Sequence, residues 1–203
     1  MNTFNDLNGV LLEGHIKIHD PATGDVLINK RNAIHYENMS ISLAESLGNN
    51  GSGFIYQMAF GNGGTSVDPT GIITYLTPNS TGTNASLYNQ TYTKIVDDRS
   101  ANNTDPFRNK IETRHVSGTN YTDVLVTCLL DYGEPEGQDA FDNASNTESA
   151  FIFDELGLRA YSPDGTGRLL THVIFHPVQK SLNRLIQIDY TVRVQSLTGF
   201  SED

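Results

Sequence analysis

The stretch "RLIQIDYTVRV" (residues 184–194) alternates apolar and polar side chains without interruption. Successive side chains of a β-strand point to opposite faces, so a period of two places all the apolar ones together. One face would carry Ile186, Ile188, Tyr190, Val192 and Val194, and the other Gln187, Asp189, Thr191 and Arg193. The pattern predicts a strand with one face in the core and one toward water.

Similar strand signals recur along the chain. In "LLEGHIKIH" (11–19) the apolar positions also alternate, and "DPATGD" (20–25) supplies a turn before "VLIN", which predicts a hairpin. "DVLVTCLLDY" (123–132) is apolar on both faces and predicts a central strand. Further strands are predicted from "GFIYQMAF" (53–60), "FIFDELGLRAY" (151–161) and "RLLTHVIF" (168–175).

One segment predicts a helix. "NMSISLAESLG" (38–48) spaces Met39, Leu43 and Leu47 four residues apart, with Asn38 as the expected N-cap and Gly48 at the C-terminal stop. With about seven strands and one short helix, the sequence predicts a mainly all-β fold, an antiparallel β-sandwich. A length of 203 residues fits a single domain, 1–203.

Two segments are polar and lack a clear period. Residues 61–110 are rich in Asn, Thr, Gly and Ser, and predict an extended polar arm that becomes ordered on a partner. The run "FGNGG" (60–64) at its start lacks the following helix of a phosphate-binding loop, so a turn that ends a strand is favoured. Residues 133–150 predict an acidic, solvated loop, because their carboxylates do not follow the spacing of a calcium loop.

Charge limits the kinds of partner. The chain has 13 Lys and Arg against 24 Asp and Glu, a formal net charge of −11. Nucleic-acid affinity depends mainly on Lys and Arg that displace counterions, so we expect no nucleic-acid partner. The first residues lack the pattern of a signal peptide, and no apolar run is long enough to span a bilayer, so we expect a cytoplasmic product without membrane contact.

No residue pattern indicates catalysis or metal binding. The pairs His15/His19 and His172/His176 lie in predicted strands, where four residues span about 13 Å, too far for two bonds to one metal ion. We expect these histidines at exposed or interface positions. Asp154 and Glu155 are adjacent on a strand and should face opposite ways. Cys128, the only cysteine, lies in an apolar strand, so we expect no catalytic residue, cofactor or metal, and no enzyme activity.

The order of these motifs resembles the N-terminal module by which phage tail-fibre proteins dock on baseplates. In that module a strand ends in a glycine-rich turn with a nearby proline, and a Leu-x-x-x-x-Tyr/Arg segment follows. A Glu-x-Gly-Leu strand then leads through a glycine turn to a Leu-rich strand and a Phe-x-Pro or Tyr-x-Pro bend. The corresponding residues are Leu87, Tyr92, Glu155, Gly157, Leu158, Asp164, Gly165, Leu169, Leu170, Phe175, Pro177 and Lys180. The chain departs from it in an extra N-terminal hairpin and helix, and in ending at Asp203 where a fibre would continue into a shaft.

The resemblance implies a non-enzymatic structural component of a tailed-phage virion, at the tail, neck, collar or baseplate. Its partners would be copies of itself and other virion proteins. A capsid decoration protein is the near alternative, and a carbohydrate-binding β-sandwich is another. The apolar groups expected to anchor the 61–110 arm in a neighbour are Tyr75, Leu76, Leu87, Tyr88 and Tyr92.

Overall fold

A computed structural model of the protein describes residues 9–135, 150–163 and 167–197. Within these ranges the chain forms eleven strands and one helix. In chain order they are β1 (Gly9–His19), β2 (Val26–Ile34), α1 (Tyr36–Leu47), β3 (Ile55–Gly61), β4 (Thr65–Val67), β5 (Ile73–Tyr75), β6 (Gln90–Ile95), β7 (Lys110–His115), β8 (Tyr121–Leu130), β9 (Ala150–Ala160), β10 (Thr171–Ser181) and β11 (Ile186–Leu197). No described helix has the length and apolar character needed to span a membrane.

Nine strands form one curled antiparallel sheet in the order β6-β3-β9-β10-β2-β1-β11-β8-β7, and β4 pairs with β5 separately. The sheet has two halves, because β10 and β2 are joined by only two residue pairs, Thr171 with Ile34 and His172 with Ala33. Apolar side chains from both halves form one core, with Ile18 and Ile188 from one and Phe153 and Phe175 from the other. The predicted all-β, sandwich-like fold is confirmed.

The alternating strands lie where their patterns predict. Ile186, Ile188, Tyr190 and Val192 of β11 are buried, and the residues between them are partly exposed. β1 pairs with β11 along its whole length and places Ile18 beside Ile188. The two strands with the clearest period of two therefore form the middle of one half of the sheet.

β8 lies inside the sheet, paired with β11 on one side and with the edge strand β7 on the other, so it is not an edge strand. Its C-terminal end is its most buried part, with Cys128, Leu129 and Leu130 all buried. The Leu129 N–H also donates to Asn109 Oδ1, in the loop before β7, at 2.9 Å.

Helix α1 is present, but its predicted N-cap is wrong. His35 is the N-cap, and its Nδ1 accepts a hydrogen bond from the Asn38 N–H at 3.2 Å. Asn38 lies one turn inside, buried, and its Nδ2 donates to Leu169 O at 3.0 Å. Gly48 is the C-cap, as predicted. Met39 packs in the core, whereas Leu47 is 88% exposed.

The 61–110 segment is not free of regular structure. It contains β4, β5 and β6, and β6 pairs with β3 at one edge of the sheet. Of the predicted acidic loop, residues 136–149 lie outside the described residues, as do Asp164 and Gly165.

Candidate functional site

The glycine-rich turn after β3 is folded around two carboxylates of its own chain. The Gly63 N–H donates to Glu155 Oε1 at 3.1 Å, and the Gly64 N–H donates to Asp154 Oδ1 at 2.9 Å. The next N–H, of Thr65, donates to Asp154 Oδ2 at 2.8 Å, and the Thr65 hydroxyl donates to the same oxygen. Consecutive backbone N–H groups therefore form an anion cradle, but side chains from β9 occupy it.

Asp154 and Glu155 were expected to face opposite ways on their strand, yet both carboxylates accept hydrogen bonds from the same turn. β3 ends at Gly61, opposite Glu155, so the turn that follows lies across β9 and reaches both side chains. The ladder between β9 and β10 is also irregular here, with a register shift between Ile174 and Val178. A strand rule based on regular pleating fails where the ladder on both sides is interrupted.

Glu155 is fully buried and accepts four hydrogen bonds. Besides Gly63, its donors are the Asn89 N–H at 2.8 Å, the Tyr88 N–H at 2.9 Å and His172 Nε2 at 2.9 Å. Burial acts to raise the pKa of Glu155, but the hydrogen bonds from His172, Asn89, Tyr88 and Gly63 outweigh it and leave the pKa below its usual value. The carboxylate is therefore held as an anion by donors that are mostly backbone amides.

Asp154 lies beside it with the opposite pKa shift. Burial raises the pKa of Asp154, the hydrogen bonds from Thr65 and Gly64 lower it, and the nearby charge of Glu155 raises it further. The net effect is a pKa of Asp154 above its usual value. Two adjacent buried carboxyls whose pKa values are shifted in opposite directions are often found at catalytic sites. The other hydrogen-bond partners of the pair therefore need to be considered.

His172 completes this network and has no free ring nitrogen. Its Nδ1 accepts the Asn79 N–H at 2.8 Å, so the ring proton is on Nε2 and is donated to Glu155. The expected exposed position for His172 is wrong, since the side chain is fully buried. Both ring nitrogens of His172 are thus bonded within the chain, and the network joins β9 and β10 to the glycine-rich turn and to the 79–89 segment.

The other histidines are spread over the molecule. His19 Nε2 lies 2.9 Å from Asp189 Oδ2, His15 is exposed, and His176 Nδ1 lies 3.3 Å from the Tyr75 hydroxyl. Among the described residues, no three His, Cys, Asp or Glu side chains are grouped as metal ligands. Cys128 is buried, and this burial raises the pKa of its thiol to about 12.

The same network attaches residues 79–89 to the domain. The Gly82 N–H donates to Glu37 Oε2 at 3.1 Å, and His35 Nε2 lies 3.0 Å from Gly82 O. Arg159 donates to Ser86 Oγ at 2.7 Å. Together with the bonds from Asn79, Tyr88 and Asn89, these contacts hold the segment on its own chain.

The five predicted interface residues have different environments. Leu87 is 5% exposed and packs with Ala59 and Leu169, so it is not available to a neighbour. The Tyr92 ring packs on the core, with centroids 5.9 Å from Phe60 and 6.2 Å from Phe151. Tyr75, Leu76 and Tyr88 are 50%, 42% and 45% exposed.

Tyr75 and Leu76 belong to an exposed apolar hairpin formed by β4 and β5. Val67 and Ile72, which the sequence reasoning did not single out, are 62% and 63% exposed there. Asp68 orders the connecting turn by accepting the N–H groups of Thr70 at 2.8 Å and Ile72 at 3.0 Å. The signal was present in "SVDPTGIITY" (66–75), a turn motif between β-branched residues. We name Val67, Ile72, Tyr75 and Leu76 the hairpin patch.

Comparison with known proteins adds no relative: no family model, no curated protein and no solved structure matches the chain.

Proposed function

We propose that this protein is a non-enzymatic structural component of a tailed-phage particle, located at the tail, neck, collar or baseplate. It would act by binding other copies of itself and other virion proteins. The motif resemblance supports a role in a tailed-phage particle, and the hairpin patch is the surface that would contact the other proteins.

The observation that carries the proposal is how the buried polar network is used. Asp154, Glu155 and His172 are the described groups best suited to acid–base chemistry, and each is bonded to backbone N–H groups near the hairpin. The base of the β4–β5 hairpin is thereby held by charge-assisted hydrogen bonds, while its tip exposes apolar side chains. A rigid base and an exposed apolar tip suit a docking element, because a hairpin that is already ordered loses little conformational entropy when it binds.

The hairpin patch is well suited to a protein partner. Exposed aromatic and aliphatic side chains on a pre-formed hairpin are typical anchors of protein interfaces. The net charge of −11 keeps separate molecules apart until such specific contacts form.

The first test is location. Antibodies against the protein would be applied to tailed particles purified from a culture that carries the gene, and examined by electron microscopy. Label at the tail, neck or baseplate supports the proposal, and label over the head supports the capsid decoration alternative. Particles without label, with the protein left in the supernatant, would overturn both.

The second test concerns the surface. Ile72→Asp places a charge in the hairpin patch and should abolish incorporation into particles without unfolding the protein. Asn102→Asp adds the same charge at an exposed loop position elsewhere and should be incorporated normally. Normal incorporation of Ile72→Asp would contradict the role of the hairpin patch, and glycan-array binding by a protein that is absent from particles would favour the carbohydrate-binding alternative.

A further inference from the structure

A cleft lies away from the hairpin, between α1, the 83–86 segment and the end of β9. It measures about 690 Å³, a volume typical of small-ligand sites. Its described lining is largely polar and includes Ile41, Thr83, Asn84, Ser86, Arg159 and Arg168. Two arginines converging on one cleft are notable in a chain of net charge −11.

Arg159 is held by neutral acceptors. Its Nε donates to Gln90 Oε1 at 2.9 Å, and its terminal nitrogens donate to Gly167 O and Ser86 Oγ, both at 2.7 Å. It has no ion-pair partner within residues 9–135, 150–163 and 167–197. Three of its five N–H groups are thus accounted for, and burial lowers the pKa of the guanidinium.

The second arginine of the cleft is neutralised. Arg168 donates to Glu45 Oε1 and Oε2 at 2.8 and 3.0 Å. The cleft on the outer face of β1 and β11 shows the same pairing, since Arg31 lies against Glu13 and Arg193 against Asp123. Arg159 therefore differs from the other arginines of both clefts, since no carboxylate of the described residues pairs with its partly buried charge.

A partly buried cation that lacks a counter-charge gains more from an anion than an exposed one does, because less water competes for it. Guanidinium matches a carboxylate in geometry, and the fixed contacts of Arg159 mean that little side-chain order is lost on binding. The surrounding hydroxyl and amide groups of Thr83, Asn84 and Ser86 suit a ligand that is itself rich in hydroxyls.

We infer that this cleft binds an acidic saccharide, with the sugar carboxylate on Arg159 and the sugar hydroxyls on the 83–86 segment. The inference does not depend on a role in a phage particle, and its failure would leave that proposal unaffected.

Calorimetric titration of the full chain tests it with three probes: glucuronate, its uncharged methyl ester and inorganic phosphate. Glucuronate should bind in the millimolar range or tighter, and the ester about tenfold or more weakly, since it lacks the charge. Phosphate that binds as tightly as glucuronate would overturn the saccharide assignment, because any small anion would then serve.

Two variants test the place of binding. Arg159→Gln should weaken glucuronate binding about tenfold or more, whereas Arg31→Gln, in the other cleft, should bind like the wild type. Because Arg159 also holds Ser86 and Gly167, Asn84→Trp provides a second variant at an exposed position that fills the cleft without touching the guanidinium. Unchanged binding in Asn84→Trp would overturn the site, whatever the fold of Arg159→Gln.

Discussion

Glu155 shows how a fully buried carboxylate is kept ionised when most of its donors are backbone amides. Its donors from Gly63, Tyr88 and Asn89 lie 92, 67 and 66 residues away in the chain. Sequence pattern could therefore predict the strand that carries Glu155 but not the groups around it. The alternation rule also predicted that the Asp154 and Glu155 side chains would have no common partner, because the rule assumes regular pairing on both sides of the strand.

Replacing Glu155 by Gln tests this arrangement. The amide would turn at least one donor toward the N–H groups of Gly63, Asn89, Tyr88 or His172, leaving buried donors unpaired. We expect a loss of about 3 kcal/mol in the free energy of unfolding, measured by urea denaturation. Glu13→Gln, at a partly exposed pair with Arg31, is the control and should cost no more than about 1 kcal/mol. Equal losses would contradict the assigned contacts.

The pKa shifts predict how that loss depends on pH. The pKa of Glu155 is below its usual value in the folded state, so its stabilisation is complete above the unfolded pKa of about 4.3 and disappears as pH falls through the folded pKa. The raised pKa of Asp154 has the opposite sign, and it does not cancel between the two proteins, because the Glu155 charge that contributes to it is absent from Glu155→Gln. Asp154 is protonated once the pH falls below its raised pKa, and the remaining difference in stability between wild type and Glu155→Gln should then shrink as the pH falls further through the folded pKa of Glu155. A difference that does not shrink in strong acid would refute the assignment.

At the scale of elements, pattern predicted strands where period and length were sufficient. β11 and β1 followed from alternation over nine or more residues, whereas β4 and β5 have three residues each, too few to show a period. The helix cap failed for a different reason. Asn38 has a side chain suited to an N-cap, but its Nδ2 donates to Leu169 O, and His35 caps the helix instead.

The register of β11 is tested by adjacent substitutions. Ile188→Asp would bury a charge in the core and should cost more than about 4 kcal/mol. Gln187→Asp, on the outward face beside Asp189, should cost about 1 kcal/mol or less. Chemical denaturation of the two purified variants measures both, and similar losses would mean that the register is shifted by one residue.

Hydrogen exchange tests how the 61–110 segment is ordered. The structure bonds the N–H groups of Gly64, Tyr88 and Asn89 to buried carboxylates of the same chain, so they should exchange slowly in the isolated protein. The Gly71 N–H donates to Asp68 O at 2.9 Å within an exposed turn, so it should exchange faster than these three and serves as the internal reference. Exchange of the Gly64, Tyr88 and Asn89 N–H groups as fast as that of Gly71 would instead support the sequence-based prediction of an arm that is ordered only by a partner.

For the whole molecule, the curled sheet brings its two ends together. β6 and β7 are consecutive in the chain but lie at opposite edges of the sheet. Lys94 on β6 nevertheless donates to Leu129 O at the end of β8 at 2.7 Å, and it pairs with Glu134 just beyond. Strand patterns predicted the class of fold, but not this order, because pairing between distant strands leaves no mark in local sequence.

Cys128 reports on the integrity of this assembly. It is completely buried among core side chains, and the pKa of its thiol is raised to about 12, so almost no thiolate exists at neutral pH. A thiol reagent at pH 8 should leave the native protein unmodified, and labelling in urea should follow the global unfolding curve. Rapid labelling without denaturant would show that the core opens locally at β8.

The position of β11 between β1 and β8 governs how the protein can fold while it is being made. Among the described strands, β11 is the one that pairs β8 with the rest of the sheet, and it is synthesised after β9 and β10. At about 5–20 residues per second, β8 waits for seconds with its apolar side chains uncovered. Folding of this half is therefore a late event in translation, and the strands made before residues 186–197 are exposed to aggregation for that time.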